Sequence, residues 1–276
     1  MATDETKADH DRVYACLDRQ HGDTGWMTPL GRHVEDALPQ KIAAIGLDTN
    51  ILKYLRRQTL KADELLNYSE TNQVPLIIPG QCVQEFWNNH SVFVRDLEGI
   101  FSPLQTLKNK VAKASLPQTQ QHILDEVEKK LDLFKFEMED SKRPELLSES
   151  FELWRSLESK VLMPYVPRSL FRSLGEVRYS TKVAPGFAED KPANQALGDF
   201  YAWADFLLGL QQAGVSNASE SRILFVTDDS KPDWKTSGRP HPMLLGEVHQ
   251  LTGAILDILG SKAFFESIQD ASPRGN

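Results

Sequence analysis

Residues 41–50 read KIAAIGLDTN and contain a short apolar run that ends in an acid. The apolar run from Ile42 to Leu47 is short and unbroken, which is typical of a strand buried on both faces of a parallel sheet. The run stops at Asp48, and the apolar residues after it return with helical spacing. Asp48 is therefore predicted where a central strand passes into a helix, the place where open α/β sheets form ligand sites. A carboxylate buried there is costly unless a positive group pairs with it.

The composition limits the class of protein. The 276 residues are 40% hydrophobic and 25% charged, which is enough apolar material for a large core. The net charge of −8 weakens a nucleic-acid interpretation but leaves room for a local basic rim. Cys16 and Cys82 fit neither a disulfide framework nor a zinc cluster. No apolar stretch approaches the roughly 20 residues of a membrane helix, and the polar start is unlike a secretory signal. We therefore expect a cytoplasmic protein with no membrane partner.

The first half of the chain is predicted to contain two strand–helix units and an insertion. Residues 1–40 are mostly polar and are interpreted as an N-terminal arm. Residues 74–80 form a second short strand between prolines, and the helix that follows carries Glu85 in its first turn. Residues 104–162 are helical and charged and are interpreted as an inserted helical hairpin. Packing against the core is the simpler role for this insertion, and a lid or partner-binding arm is the alternative.

Residues 163–195 are broken by prolines and form the most basic stretch of the chain. Its cations alternate with aromatic residues, a combination that suits single-stranded nucleic acid through phosphate attraction and base stacking. A solvated loop is the alternative. The residues concerned are Arg168, Phe171, Arg172, Arg178, Tyr179 and Lys182.

The C-terminal third repeats the opening pattern. Residues 196–213 are predicted to form a helix with Asp199 in its first turn, and the apolar run 222–226 leads to Asp228. Leu244 to Leu259 is predicted to be a last helix, with a loose tail from about Ser267. The main domain is thus placed at residues 41–262 and the C-terminal tail at 263–276.

Four acids follow a common topological rule. Asp48 and Asp228 follow apolar strands, while Glu85 and Asp199 open helices. In a parallel sheet these positions lie on one edge, so the four groups are expected to converge there. Clustered carboxylates repel unless a divalent cation neutralises them, and Mg²⁺ prefers such oxygen ligands. The pattern suggests metal-dependent phosphodiester hydrolysis, with helix capping and helix-dipole stabilisation as the alternatives for single acids.

The motifs around these acids resemble those of PIN domains, in particular the bacterial PIN-like subgroup of unknown function. The opening Leu47-Asp48-Thr49-Asn50 resembles the first PIN motif, and the resemblance extends over roughly residues 42–258. The other matching segments are Pro185-Gly186-Phe187, Asp190-Lys191, Gly198-Asp199 with Trp203, and Phe225-Val226-Thr227-Asp228-Asp229 with Lys231 and Asp233-Trp234.

The resemblance implies a three-layer α/β/α, Rossmann-like parallel sheet and a metal-dependent endoribonuclease acting on single-stranded RNA. It implies Mg²⁺ or Mn²⁺ held by the four acids, and hydrolysis without a covalent intermediate. Asp229 is a competitor to Asp228 as the fourth acid. Thr49 and Asn50 are expected to orient Asp48 or a water, and Thr227 to do the same for Asp228. Lys191 is expected either to contact a substrate phosphate or to be a solvated lysine.

Several alternatives remain open at the level of the sequence. A DNA flap or single-strand nuclease uses the same kind of acid cluster. A non-catalytic nucleic-acid-binding protein, or a toxin or defence effector controlled by an antitoxin or a complex partner, also fits the pattern, and the apolar helical stripes permit a homodimer. Zinc spacing, a P-loop and a dinucleotide glycine motif do not occur. The second acid expected in an aspartyl-phosphate phosphatase is replaced by Asn50.

Overall fold

A computed structural model of the chain describes residues 4–19, 25–89, 106, 126, 129–130, 143–188 and 197–271. Within these ranges, no helix combines the length and the apolar character needed to cross a membrane. The elements, in chain order, are α1 (Asp4–Asp18), α2 (Met27–Val34), β1 (Ile42–Leu47), α3 (Thr49–Arg57), α4 (Thr59–Asn72), β2 (Leu76–Ile77), α5 (Gly80–Asn88), α6 (Arg143–Leu157), β3 (Val161–Leu162), α7 (Arg168–Ser180), α8 (Gly198–Gln212), β4 (Arg222–Val226), β5 (Lys235–Thr236), β6 (Arg239–Pro240), α9 (Pro242–Thr252), β7 (Ile255–Leu259) and α10 (Ser261–Ala271).

The central sheet is parallel and has the strand order β3-β2-β1-β4-β7. The predicted α/β class is therefore confirmed, with the predicted first strand at its centre. Gly46 in β1 permits a close helix approach, because a Cβ there would lie 2.4 Å from the Phe206 ring of α8. Strands β5 and β6 form a separate antiparallel pair.

Helices cover both faces of this sheet and make three layers. Ala44 and Phe225 belong to a buried cluster with residues of α1, α7, α8 and α9. Ile45 and Leu47 are fully buried and alternate with Ala44 along β1, so they face the opposite side. The helices α3, α4 and α10 pack together on that side. The three-layer α/β/α arrangement expected from the resemblance is confirmed.

The chain divides into two compact units, residues 1–85 with 156–276, and residues 86–155. In the second unit, Trp87 and Trp154 stack with ring centroids 6.4 Å apart, and Phe86 meets Trp154 edge-on at 5.4 Å. Of the predicted insertion at 104–162, residues 143–157 are helical, and most of the preceding part lies outside the described residues. The prediction was wrong at its end, because Val161–Leu162 form the edge strand β3 beside β2.

The prediction of one helix over Leu244–Leu259 was also wrong. Helix α9 ends at Thr252 because Gly253 takes a left-handed backbone with φ of 75°, the usual helix stop. The next residues, Ile255–Leu259, form strand β7 against β4. The apolar spacing was compatible with either structure, and Gly253 was the local signal that separates them.

The described residues near both chain ends form helices, although the sequence suggested a polar arm and a loose tail. Val13 and Leu17 of α1 are fully buried in the main core, so the described part of the N-terminal arm packs as a helix. The tail expected to be loose from about Ser267 instead continues α10 to Ala271, with Phe264 and Ile268 buried. Its buried apolar residues stabilise the fold.

The basic stretch proved to be largely structural. Residues 168–180 form helix α7, not a broken loop. Phe171 is fully buried, and Arg178 is buried in an ion pair with Glu247 at 2.7 Å. Arg178 also donates to the carbonyl oxygens of Leu17 and Ala184. These two residues hold α7 against the core and are therefore structural. Contact of the rest of the stretch with nucleic acid stays a prediction.

Candidate active site

Three neighbouring strands end together at the site. The backbone N–H of Asp48, directly after β1, donates to the carbonyl oxygen of Val226 in β4 at 3.1 Å. The N–H of Thr227, directly after β4, donates to Leu259 of β7 at 2.9 Å. The parallel register thus brings the segments that follow β1 and β4 side by side. The sequence predicted that Asp48 and Asp228, the acids after these two strands, lie at this edge.

The carboxylate of Asp48 is surrounded by hydrogen-bond donors. Asp48 is the N-cap of α3, and its Oδ1 accepts from the backbone N–H of Thr49 at 2.6 Å. Its Oδ2 accepts from Asn50 Nδ2 at 2.7 Å and from Thr227 Oγ1 at 2.6 Å. The thiol of Cys82 lies 3.5 Å from Oδ1. These donors fix the orientation of the carboxylate.

Burial still raises the pKa of Asp48 above its usual value, and the negative charge of Glu85 adds to this increase. The hydrogen bonds from Thr227 and Thr49 act in the opposite direction but do not compensate. A desolvated acid beside a second acid is a position where a cation would be stabilising.

Glu85 is joined to Asp48 through Thr49. The hydroxyl of Thr49 donates to Glu85 Oε2 at 3.0 Å, while the backbone N–H of the same residue donates to Asp48 Oδ1. Gln81, one turn earlier in α5, donates to Glu85 Oε1 at 2.9 Å. Gly198 leaves room for this carboxylate, because a Cβ there would lie 2.9 Å from Oε1. Glu85 therefore lies against the start of α8.

A second group of acids is joined by a lysine. Asp199, the second residue of α8, has its Oδ2 3.0 Å from Lys231 Nζ. The same ammonium lies 3.1 Å from Asp229 Oδ2, and the backbone N–H of Lys231 donates to Asp229 Oδ1 at 2.9 Å. Because Asp199 follows Gly198, which adjoins Glu85, this group continues directly from the Asp48–Glu85 pair.

Asp228 points elsewhere. Its Oδ1 accepts from the backbone N–H of Ser261 at 2.7 Å, at the first residue of α10, and its side chain is exposed. Its backbone N–H donates to Asn50 Oδ1 at 3.1 Å. Thr227, expected to orient Asp228, instead donates to Asp48 and accepts from the N–H of Asp229 at 3.0 Å. Lys191 lies outside the described residues.

The family is decided by a match over most of the chain. The sequence model described as PIN like domain matches residues 44–244. The chain belongs to the PIN-like domain family. No curated protein and no solved structure matches the chain. The match spans Asp48, Glu85, Asp199, Asp228 and Asp229, so all the acids described above lie inside the PIN-like domain.

Membership places the chain in a superfamily of nucleases that typically use divalent metal ions. Within the ranges that the structure describes, no three His, Cys, Asp or Glu side chains form a group that could hold a metal. The acids of this PIN-like domain lie instead in two pairs, Asp48 with Glu85, and Asp199 with Asp229 across Lys231. Their chemistry fits a hard cation, because all four offer carboxylate oxygens of the kind that Mg²⁺ and Mn²⁺ prefer.

The roles of several residues in this PIN-like domain were not predicted from the sequence, although Gly198, Lys231 and Asp233 belong to the motifs that carry the resemblance. Gln81 and Gly198 position Glu85, and Lys231 joins two acids. Asp233, part of the last motif, is buried and accepts the backbone N–H groups of Gly186 and Ala188 at 2.7 and 3.1 Å. The only local signals were the position of Lys231 two residues after Asp229 and the glycine before Asp199.

Proposed function

We propose that this PIN-like domain is a metal-dependent endoribonuclease that hydrolyses single-stranded RNA. The observation that carries the proposal is the Asp48–Thr49–Glu85 arrangement, in which two carboxylates are held together at the strand edge although burial raises the pKa of Asp48. Such an arrangement contributes little to stability by itself, because like charges repel. It suits the binding of a cation and a phosphate.

We assign the metal to Asp48, Glu85, Asp199 and one of the two acids after β4. Asp229 is favoured over Asp228, because its carboxylate shares the lysine with Asp199 whereas that of Asp228 caps α10. Mg²⁺ and Mn²⁺ both suit these ligands. A bound divalent cation supplies positive charge that stabilises phosphate oxygens and lowers the pKa of water.

The other residues are assigned to orientation and charge balance. Thr49, Asn50 and Thr227 fix the Asp48 carboxylate, as their hydrogen bonds of 2.6–2.7 Å to it support. Lys231 balances the charge of Asp199 and Asp229 when no divalent cation is bound. Glu85, held by Thr49 and Gln81, is placed to complete the metal site or to orient a water for attack on the phosphate.

The experiment that tests this function compares labelled single-stranded RNA and DNA pools of the same length and sequence. Each pool is incubated with the full chain in Mg²⁺, Mn²⁺ or EDTA, and the products are resolved by length. We expect internal cleavage of RNA that requires metal and stops in EDTA. Cleavage of DNA alone would contradict the substrate class, and cleavage that persists in EDTA would contradict the metal dependence.

A further inference from the structure

The surface beside the acids carries a sandwich of two tyrosines and an arginine. The guanidinium carbon of Arg168 lies 3.9 Å from the ring centroid of Tyr165 and 4.4 Å from that of Tyr201. The guanidinium cannot rotate freely, because both of its terminal nitrogens donate to the buried Asp205 at 2.8 Å. The orientation of both rings is thereby fixed from inside the protein.

Tyr165 is well supported and yet half exposed. It lies in the loop between β3 and α7 and packs on Gly80, where a Cβ would come within 2.7 Å of its ring. Despite these contacts, 50% of the residue faces solvent. A rigid aromatic side chain that remains this exposed offers a stacking surface at little entropic cost.

The sandwich is connected to the acids through one side chain. Gln81 donates through Nε2 to Glu85 Oε1 at 2.9 Å, and its Oε1 accepts from Arg168 Nη2 at 3.4 Å. Its backbone N–H donates to Asp205 Oδ2 at 2.8 Å. A single strand whose phosphate lies at Glu85 therefore has this aromatic surface directly beside it.

The charges near the sandwich favour stacking over phosphate attraction. The Arg168 charge is neutralised by Asp205, and that of the exposed Arg172 is paired with Glu176 at 2.9 Å. The net charge of the whole chain is −8. The surface around the sandwich therefore offers ring faces rather than excess positive charge. Unpaired nucleobases are the chemical groups that such rings bind, and they do so with little sequence preference.

We propose that Tyr165, with Tyr201 and Arg168 behind it, is a stacking platform for an unpaired base flanking the scissile phosphate of single-stranded RNA. The proposal rests on the proposed function and adds to it the side chains that select single strands. A base in a duplex is already stacked on its neighbours and does not present its face to Tyr165. The platform therefore disfavours double-stranded substrate.

The test measures binding separately from cleavage. Binding of a fluorescent single-stranded RNA is followed by anisotropy in EDTA, for the wild type and for Tyr165→Ala, Tyr165→Leu, Tyr165→Phe and Tyr165→Trp. We expect Tyr165→Ala and Tyr165→Leu to bind about 5- to 150-fold more weakly and the two aromatic variants to bind like the wild type. Because stacking is not a charge contact, we expect the loss to be the same at low and high salt.

Two controls make the result specific. Tyr179→Ala makes the same chemical change on α7, three turns away from Arg168, and we expect it to bind like the wild type. An RNA with one abasic position should bind the wild type more weakly but cause no additional loss with Tyr165→Ala, because that variant lacks the stacking contact. The leucine variant keeps apolar packing on Gly80, so it tests the proposal if the alanine variant does not fold.

The outcomes separate this proposal from the proposed function. If the wild type cleaves RNA and Tyr165→Ala and Tyr165→Leu bind like the wild type, the platform is wrong and the nuclease stands. If Tyr165→Phe binds as weakly as Tyr165→Ala, a hydroxyl contact replaces stacking and the platform is again wrong. If the wild type neither binds nor cleaves single-stranded RNA, both proposals are wrong.

Discussion

The ammonium group of Lys231, in the loop after β4, lies 3.0 Å from the carboxylate of Asp199 in α8. The same group lies 3.1 Å from Asp229. In the proposed metal site, a lysine shared between two acids supplies the positive charge that a bound metal would otherwise supply. It is therefore expected to compete with the metal for these carboxylates.

Replacing Lys231 by methionine should make the protein respond more strongly to divalent cations. Without the ammonium, Asp199 and Asp229 repel, and we expect a loss of stability of up to about 1 kcal/mol in EDTA, since all three side chains are partly exposed. Added Mg²⁺ or Mn²⁺ should recover this loss. The measurement is the melting temperature of each protein in EDTA and across a metal titration.

Lys160→Met is the matched control for that substitution. Among the described residues, Lys160 pairs with one acid, Glu70, at 2.6 Å, so its loss leaves no second carboxylate there to repel the first. The metal-induced increase in melting temperature should be larger than in the wild type for Lys231→Met and unchanged for Lys160→Met. An unchanged metal response in Lys231→Met would contradict the role given to Lys231.

Replacing each of the two adjacent acids after β4 by asparagine should have different effects on the cleavage rate. Asp229→Asn should lower the cleavage rate at least about tenfold, equivalent to about 1.4 kcal/mol of lost transition-state stabilisation. Asp228→Asn should keep both activity and stability, because an amide oxygen still accepts from Ser261. Asp228→Ala should cost about 1 kcal/mol of folding free energy through the lost cap. A larger activity loss in Asp228→Asn than in Asp229→Asn would reverse the assignment.

Arg168→Met should strongly destabilise the fold. Asp205 is fully buried and would lose the two 2.8 Å bonds that neutralise it. Of the donors that the structure describes, the N–H groups of Gln81 and Val166 would remain. Removing one partner of such a pair typically costs about 3–5 kcal/mol. Chemical denaturation measures this free energy. A loss of under about 1 kcal/mol would show that the pair is not a structural anchor of α7.

The titration of Asp48 should contribute to the pH dependence of stability. Its pKa is raised in the folded protein, so the folded state binds the proton more tightly than the unfolded chain does. In EDTA, stability is then expected to fall as pH rises from about 3.8 through the raised pKa. Burial also raises the pKa of Asp205, which contributes with the same sign in the wild type and in variants of other residues.

The comparison with Asp48→Asn isolates that contribution. We expect the stability of the wild type relative to the variant to decrease with rising pH over that interval, and then to become constant. At neutral pH, Mg²⁺ at ten times its Kd should stabilise the wild type by about 1.4 kcal/mol and so raise its melting temperature. The melting temperature of the variant should not change. A pH-independent difference between the two proteins would contradict the raised pKa.

Local sequence signals explain what could be predicted. The position of Asp48 at the end of a buried strand followed from the apolar run and from the helical spacing after it, both contained within a dozen residues. The helix over 196–213 and the strand over 222–226 were readable for the same reason. Strand β7 was missed because an apolar segment that follows a helix fits either period until Gly253 is recognised as its end.

Long-range contacts explain what could not be predicted. Thr227 reaches Asp48 across 179 positions of sequence, and Arg178 reaches Glu247 across 69. The direction of Asp228 depends on where α10 begins, because its carboxylate accepts from Ser261. Such contacts arise from strand order and helix packing. The pattern of a single sequence indicates the fold class but not these contacts.

The role of Asp48 in cleavage is tested by the single-turnover cleavage rate of a defined single-stranded RNA by Asp48→Asn beside the wild type, in Mn²⁺. The melting temperature of each protein in EDTA serves as the control for folding. We expect a rate loss of at least about a hundredfold, equivalent to about 2.7 kcal/mol, in a variant that remains folded. A folded Asp48→Asn variant that cleaves at the wild-type rate would contradict it.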